Sequence, residues 1–83
     1  MEGKSGMITP DDIAGLIRRA LPDARVEARD RTGTLDHYNL KVVSKDFAGK
    51  SLLDRHRLVY SALDDALRDG RLHAVELKTE IPA

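Results

Sequence analysis

Three histidines, His37, His56 and His73, are the side chains in this 83-residue sequence best suited to chemistry. Neutral imidazole at a strand end is a good ligand for a metal ion or cluster. His37 closes a short loop and His73 opens the last strand of the pattern described below. Two histidines alone do not make a zinc site, which wants three or four ligands. On composition alone both are structural. The functional reading is an incomplete ligand set, completed by a partner. His56 falls on the apolar stripe of a helix, where a half-buried, hydrogen-bonded imidazole is the simpler role.

Arg55-His56-Arg57 is also a local basic triplet. With Lys45 and Lys50, its two arginines outnumber Asp46 and Asp54 by a small margin, which makes a candidate nucleic-acid footprint. The plainer reading is that Arg55 and Arg57 solvate the helix or pair with Asp54 and Asp65. Gly49-Lys50-Ser51 opens a helix in the manner of a phosphate-binding loop. That loop needs a glycine five residues before Gly49, where Ser44 stands. What survives is a helix N-terminus that, with Lys50, can hold a backbone phosphate. No Ser-His-Asp or Cys-His arrangement can be drawn, and Asp64-Asp65 reads as a solvated helix face. Nothing in the residues points to an enzyme.

The totals narrow the classes further. Fourteen Lys and Arg balance fourteen Asp and Glu, so no global charge draws the chain to nucleic acid or to an anionic membrane. Hydrophobic content of 41% with 34% charged residues fits one small soluble globular domain with a thin core. Cysteine is absent, which excludes disulfides and thiolate nucleophiles and favours a cytoplasmic location. No apolar run approaches the roughly 20 residues that span a bilayer. The opening MEGKSGM lacks the apolar segment of a signal peptide. Residues 1–8 are therefore expected to be a disordered lead-in to a single domain over 9–82.

The elements that must position these side chains follow from periodicity. Thr9 is a helix N-cap, Pro10 fits the first helical position, and Asp11 and Asp12 suit the positive helix end. Ile13, Leu16, Ile17, Ala20 and Leu21 then make a helical stripe that Pro22 stops. Residues 24–30 alternate, with Ala24, Val26 and Ala28 on one side, and predict a strand at or near an edge. Residues 38–44 alternate again, with Tyr38, Leu40 and Val42 on one side, and predict the second arm of an antiparallel hairpin. Phe47, the only Phe, is expected to plug the core in a turn or single helical turn.

The longest helical pattern runs from Lys50 to Arg71. Ser51 is its N-cap, and Leu52, His56, Val59, Leu63 and Ala66 form its stripe, widened by Leu53, Tyr60 and Leu67. Gly70 is placed to end it in a left-handed conformation, with Arg68 and Arg71 at the negative end of the dipole. Residues 72–79 predict the last strand, with His73, Val75 and Leu77 on one face and Leu72 and Ala74 on the other. The layout is αββ(α)αβ, an α+β class. Its economical packing is a three-stranded mixed sheet with the helices on one face and the last strand parallel to the second.

These residues carry a family resemblance. The run DHYNLKVVSKDFAGKSLLDRHRLVYSALDDAL, followed by LHAVELKTEIP, closely resembles the BolA family, and the ALPDA ending of the first helix looks alike too. The likeness covers roughly residues 9–82. It implies a fold similar to a class II KH domain, although only Gly49 stands near the place of that domain's Gly-x-x-Gly loop. It implies two functional lines. One is a non-enzymatic adaptor that partners a monothiol glutaredoxin, as a monomer or weak homodimer, and shares or hands on a [2Fe-2S] cluster. The other is a DNA-binding regulator of stress and morphology genes, using Lys45, Lys50, Arg55 and Arg57. His73 matches the family's C-terminal cluster ligand. The second ligand is a Cys or His in the loop between the first two strands. By spacing from Tyr38, Thr34 stands where some relatives carry Cys, and His37 is close but offset toward the strand.

Overall fold

Alternating apolar and polar residues build the sheet that carries the rest. The computed structural model describes residues 8–30 and 37–83. Strand β1 (Arg25–Asp30) pairs antiparallel with β2 (His37–Val43), from Arg25 opposite Val43 to Asp30 opposite Tyr38. Strand β3 (Ala74–Glu80) pairs parallel with β2, from His37 beside Ala74 to Val43 beside Glu80. The spatial order β1-β2-β3 leaves β1 at an edge, as its small apolar residues suggest. Tyr38, Leu40 and Val42 of the central strand are buried. The opposite face carries the exposed Glu27, Arg29, Asn39, Glu76 and Lys78. The result is the expected mixed sheet with its helices on one face.

Helix α1 (Pro10–Ala20) starts at a complete capping box. The Thr9 hydroxyl accepts from the Asp12 backbone N–H, and the Asp12 carboxylate accepts from the Thr9 N–H, each at 3.2 Å. Ile13, Ala14 and Ile17 face the core, while Ala20, expected on the stripe, is exposed because the helix ends there. Ile8, assigned by sequence to the lead-in, is also core: it is fully buried, and its carbonyl accepts the Tyr38 hydroxyl at 2.8 Å. Residues 1–7 lie outside the described residues.

After β2 comes a short 3-10 helix, Lys45–Phe47, with Phe47 fully buried as expected. The single long helix predicted next is in fact two. Helix α2 (Leu52–Ala62) tightens at Leu63, and α3 (Asp64–Arg68) restarts beyond it. The Leu63 N–H reaches both the Val59 and Tyr60 carbonyls at 3.1 Å, the geometry of a closing turn. Asp64 and Asp65 then occupy the positive end of α3 and pair with Arg68 at 2.9 and 2.8 Å, rather than with Arg55 or Arg57. Gly70 takes φ +86°, as its place past the helix end requires.

Two details of the stripe are corrected. Leu52 and Leu53 are 62% and 60% exposed, and the fully buried positions of the stripe begin at Val59, followed by Leu63 and Ala66. Leu72 is buried ahead of the strand, not within it. Its N–H bonds the Ala66 carbonyl at 3.1 Å, so strand alternation does not govern where it points.

Candidate functional site

His37 is the first residue of β2, not the last of the loop, and it pairs in register with Ala74. His73 immediately precedes β3. The parallel pairing therefore brings the two imidazoles to one end of the sheet. Their ring centres are 5.9 Å apart, and the planes are nearly perpendicular at 82°. His37 is half-buried and His73 exposed, so a second molecule can reach the pair. Helix α2 braces this end. The Tyr60 hydroxyl donates to the Val75 carbonyl at 3.3 Å, two residues past His73, and the half-buried His56 ring stands edge-on to Tyr60 at 6.4 Å.

Two neutral imidazoles can supply two nitrogen donors to one centre. Among the described residues no group of three or more His, Cys, Asp or Glu could hold a metal ion. The chain has no cysteine, so it has no thiolate to offer a metal or cluster. Thr34 and the rest of the loop from 31 to 36 lie outside the described residues.

The four candidate cations do not form one patch. Lys45 and Lys50 are exposed on the linker between β2 and α2. Arg55 is half-buried, its Nε donates to the Lys50 carbonyl at 3.0 Å, and its guanidinium lies 6.0 Å from the centre of the Phe47 ring. Arg57 turns the other way and lines the groove between α1 and α2 with Arg19, Leu16 and Leu58. Residues two apart on a helix point about 200° apart, which is why the triplet splits.

Sequence reasoning missed the residue that sets the linker. Asp23, in the turn after α1, accepts from the buried Ser44 hydroxyl at 2.7 Å and from the Lys45 N–H at 2.9 Å. Ser44 in turn accepts from the Asp46 N–H at 3.1 Å. The Lys45 backbone bond first, and the Ser44 hydroxyl second, hold the Asp23 carboxyl below the usual carboxylate range. The linker leaves the sheet beside Val43 and Glu80, while the histidines sit beside Ala74. Six strand steps separate these ends, about 20 Å at roughly 3.3 Å per residue.

Comparison with known proteins agrees with this architecture. The family model described as BolA-like protein matches residues 20–83. The chain is 31% identical over 72 residues to the uncharacterized protein RP812 of Rickettsia prowazekii, covering 87% of this chain and 92% of that one. It is 51% identical over 47 residues to SufE-like protein 1, chloroplastic/mitochondrial, of Arabidopsis thaliana, covering 57% of this chain but only 12% of that longer relative. Among solved structures, a BolA protein homologue from Coxiella burnetii superposes with a TM-score of 0.75 at 36% identity, covering 92% of this chain and 94% of that one. No helix among the described residues is long and apolar enough to cross a membrane.

Proposed function

This chain belongs to the BolA-like family, and from that premise we propose that it is a non-enzymatic adaptor that binds a monothiol glutaredoxin and takes part in [2Fe-2S] cluster binding, trafficking or iron signalling. The observation that carries the reading is the His37–His73 pair, a half-buried and an exposed imidazole standing edge to face 5.9 Å apart at one end of the sheet. Such a pair suits a cluster as cargo, because a cysteine-free chain brings imidazole nitrogens and must borrow its thiolates. The likeness to a SufE-like protein is in keeping with iron–sulfur work.

His73 and His37 would be this chain's ligands. The exposed His73 supplies the more accessible nitrogen, and β2 holds His37 beside it. Tyr60 fixes the start of β3 against α2, so the His73 backbone is held when a partner docks. The cysteine-free composition supports work in the cytoplasm, although the SufE-like relative carries an organellar name. Titrating the chain into a cluster-loaded monothiol glutaredoxin tests the reading, with His73→Ala and His37→Ala alongside.

A second reading is a DNA-binding regulator. It is favoured by Lys45 and Lys50, which flank the N-terminus of α2 on a linker held open to solvent. Replacing Lys45 and Lys50 by Ala should then weaken DNA binding strongly and flatten its salt dependence while leaving histidine-dependent cluster binding intact. The two surfaces lie at opposite ends of the sheet, so the two readings do not compete for the same residues.

A further inference from the structure

We propose that two copies of this chain associate through the free edge of β3, the two strands running antiparallel about Leu77, so that the two sheets join into one. This goes beyond the reading above and uses neither histidine. Strand β3 borders β2 on one side and nothing in the sheet on the other. Two hydrogen bonds show which of its backbone groups face that free side. The Ser44 N–H donates to the Glu80 carbonyl at 3.1 Å, so the backbone of Glu80 faces β2. Backbone groups alternate sides along a strand, so those of Val75, Leu77 and Thr79 face away from β2. The Tyr60 hydroxyl, which reaches the Val75 carbonyl at 3.3 Å, marks that outer side. No proline stands within Ala74–Glu80, and its register with β2 is unbroken, so the edge is open to another strand.

The charges select a second copy and a single register. On the face away from the helices, Glu76 and Lys78 are exposed on either side of Leu77. Antiparallel pairing about Leu77 sets Glu76 opposite Lys78 of the second copy, and the two-fold axis repeats the contact. It also matches the whole strand, Ala74 to Glu80. Leu77 then exchanges both backbone bonds with its counterpart, and Val75 does so with Thr79. The Val75 carbonyl keeps a second lone pair for this beside its bond to Tyr60. Pairing about Glu76 or about Lys78 sets like charges opposite each other, and pairing about Val75 matches none. Pairing about Thr79 sets Lys78 opposite Glu80, which Lys41 already holds at 3.5 Å, and carries the seam off the end of the strand.

Exposed apolar surface gathers beside the same edge. The large apolar side chains left exposed among the described residues are Leu52, Leu53, Tyr60 and Ile81. Leu53 stands seven residues before Tyr60 and Leu52 eight, so helical spacing puts both on the Tyr60 side of α2, the side that reaches the β3 edge. Ile81 continues the alternation of Val75, Leu77 and Thr79 past the end of β3. Joining the sheets brings the two α2 helices side by side across the seam, where these side chains are covered.

Sedimentation velocity of the chain alone, from micromolar to millimolar concentration in low-salt buffer, tests the proposal, with amide hydrogen exchange read by NMR at both ends of that range. A reversible monomer–dimer equilibrium is expected, and the Leu77 and Thr79 amides should exchange more slowly as concentration rises while those of β1 do not change. Glu76→Lys sets Lys opposite Lys and should weaken the dimer by about tenfold or more. The double variant Glu76→Lys with Lys78→Glu restores opposite charges across the seam and should recover the dimer. Both positions are exposed, and the NMR spectrum of each variant confirms its fold. A chain that stays monomeric at millimolar concentration would overturn the proposal. So would a dimer indifferent to Glu76→Lys, one that the double variant fails to restore, or one that leaves the Leu77 and Thr79 amides unprotected. A monomeric chain in which those amides slow only on addition of cluster-loaded monothiol glutaredoxin would assign the edge to that partner and overturn the pairing of two copies.

Discussion

The guanidinium of Arg55 lies over the Phe47 ring, 6.0 Å from its centre, while the Arg55 Nε holds the Lys50 carbonyl at 3.0 Å. Arg55 is therefore spent on the linker. It ties the first turn of α2 to the residue that plugs the core, and it has less to offer a distant phosphate than Lys45 or Lys50. Arg55→Ala should lower stability by about 1 kcal/mol, whereas exposed Arg57→Ala should change it by less than about 0.5 kcal/mol. Paired denaturant melts of the two variants check this. Equal losses would mean that the Phe47 contact contributes nothing.

Asp23 sets a pH dependence. Its carboxylate accepts the Lys45 N–H and the Ser44 hydroxyl, and both bonds favour the charged form in the folded chain. A carboxyl lowered on folding stabilises the fold fully above its unfolded pKa of about 3.9, and that contribution is lost as pH falls through the lower folded value. Asp23→Asn should thus lower the melting temperature at neutral pH, and the gap from the unaltered chain should close below about pH 4. Thermal melts across pH read it directly. A gap of constant size down to strong acid would show that charge on Asp23 is immaterial.

The strands and hairpin were legible in the sequence because period-two alternation is strong in 24–30 and 38–44, and a strand has few other ways to bury Tyr38, Leu40 and Val42. The break at Leu63 was not, because neither Gly nor Pro marks it. The trace it leaves is Asp64-Asp65 ahead of Arg68, a first-turn pattern that reads equally well as a solvated face. Exposure of Leu52 and Leu53 escaped for a different reason: helical periodicity says which side is apolar, not how much of that side is covered. The approach of His37 to His73 depends on the register of two parallel strands joined by a helical crossover, and register between distant segments is a tertiary property. Asp23 was invisible because its partners, Ser44 and Lys45, stand across the hairpin from it.

Thr79 offers a test of packing against polarity. It lies on the core-facing side of β3, and its hydroxyl oxygen is buried with no hydrogen-bond partner among the described residues. Valine has nearly the same shape without the stranded polar atom. Thr79→Val should therefore leave stability unchanged or raise it by about 1 kcal/mol. Chemical denaturation decides it, and a loss beyond about 1 kcal/mol would show that the hydroxyl has an unrecognised role.

The central claim is that His73, with His37, meets a cluster brought by a monothiol glutaredoxin. The most direct measurement is a titration of the chain into the cluster-loaded glutaredoxin homodimer, followed by visible circular dichroism and a sizing column. The account predicts a new heterodimer spectrum, lost in His73→Ala and altered or lost in His37→Ala, with Arg55→Ala and Arg57→Ala behaving as the unaltered chain. No spectral change and no complex on the column would contradict it, and so would a heterodimer spectrum that survives removal of both histidines.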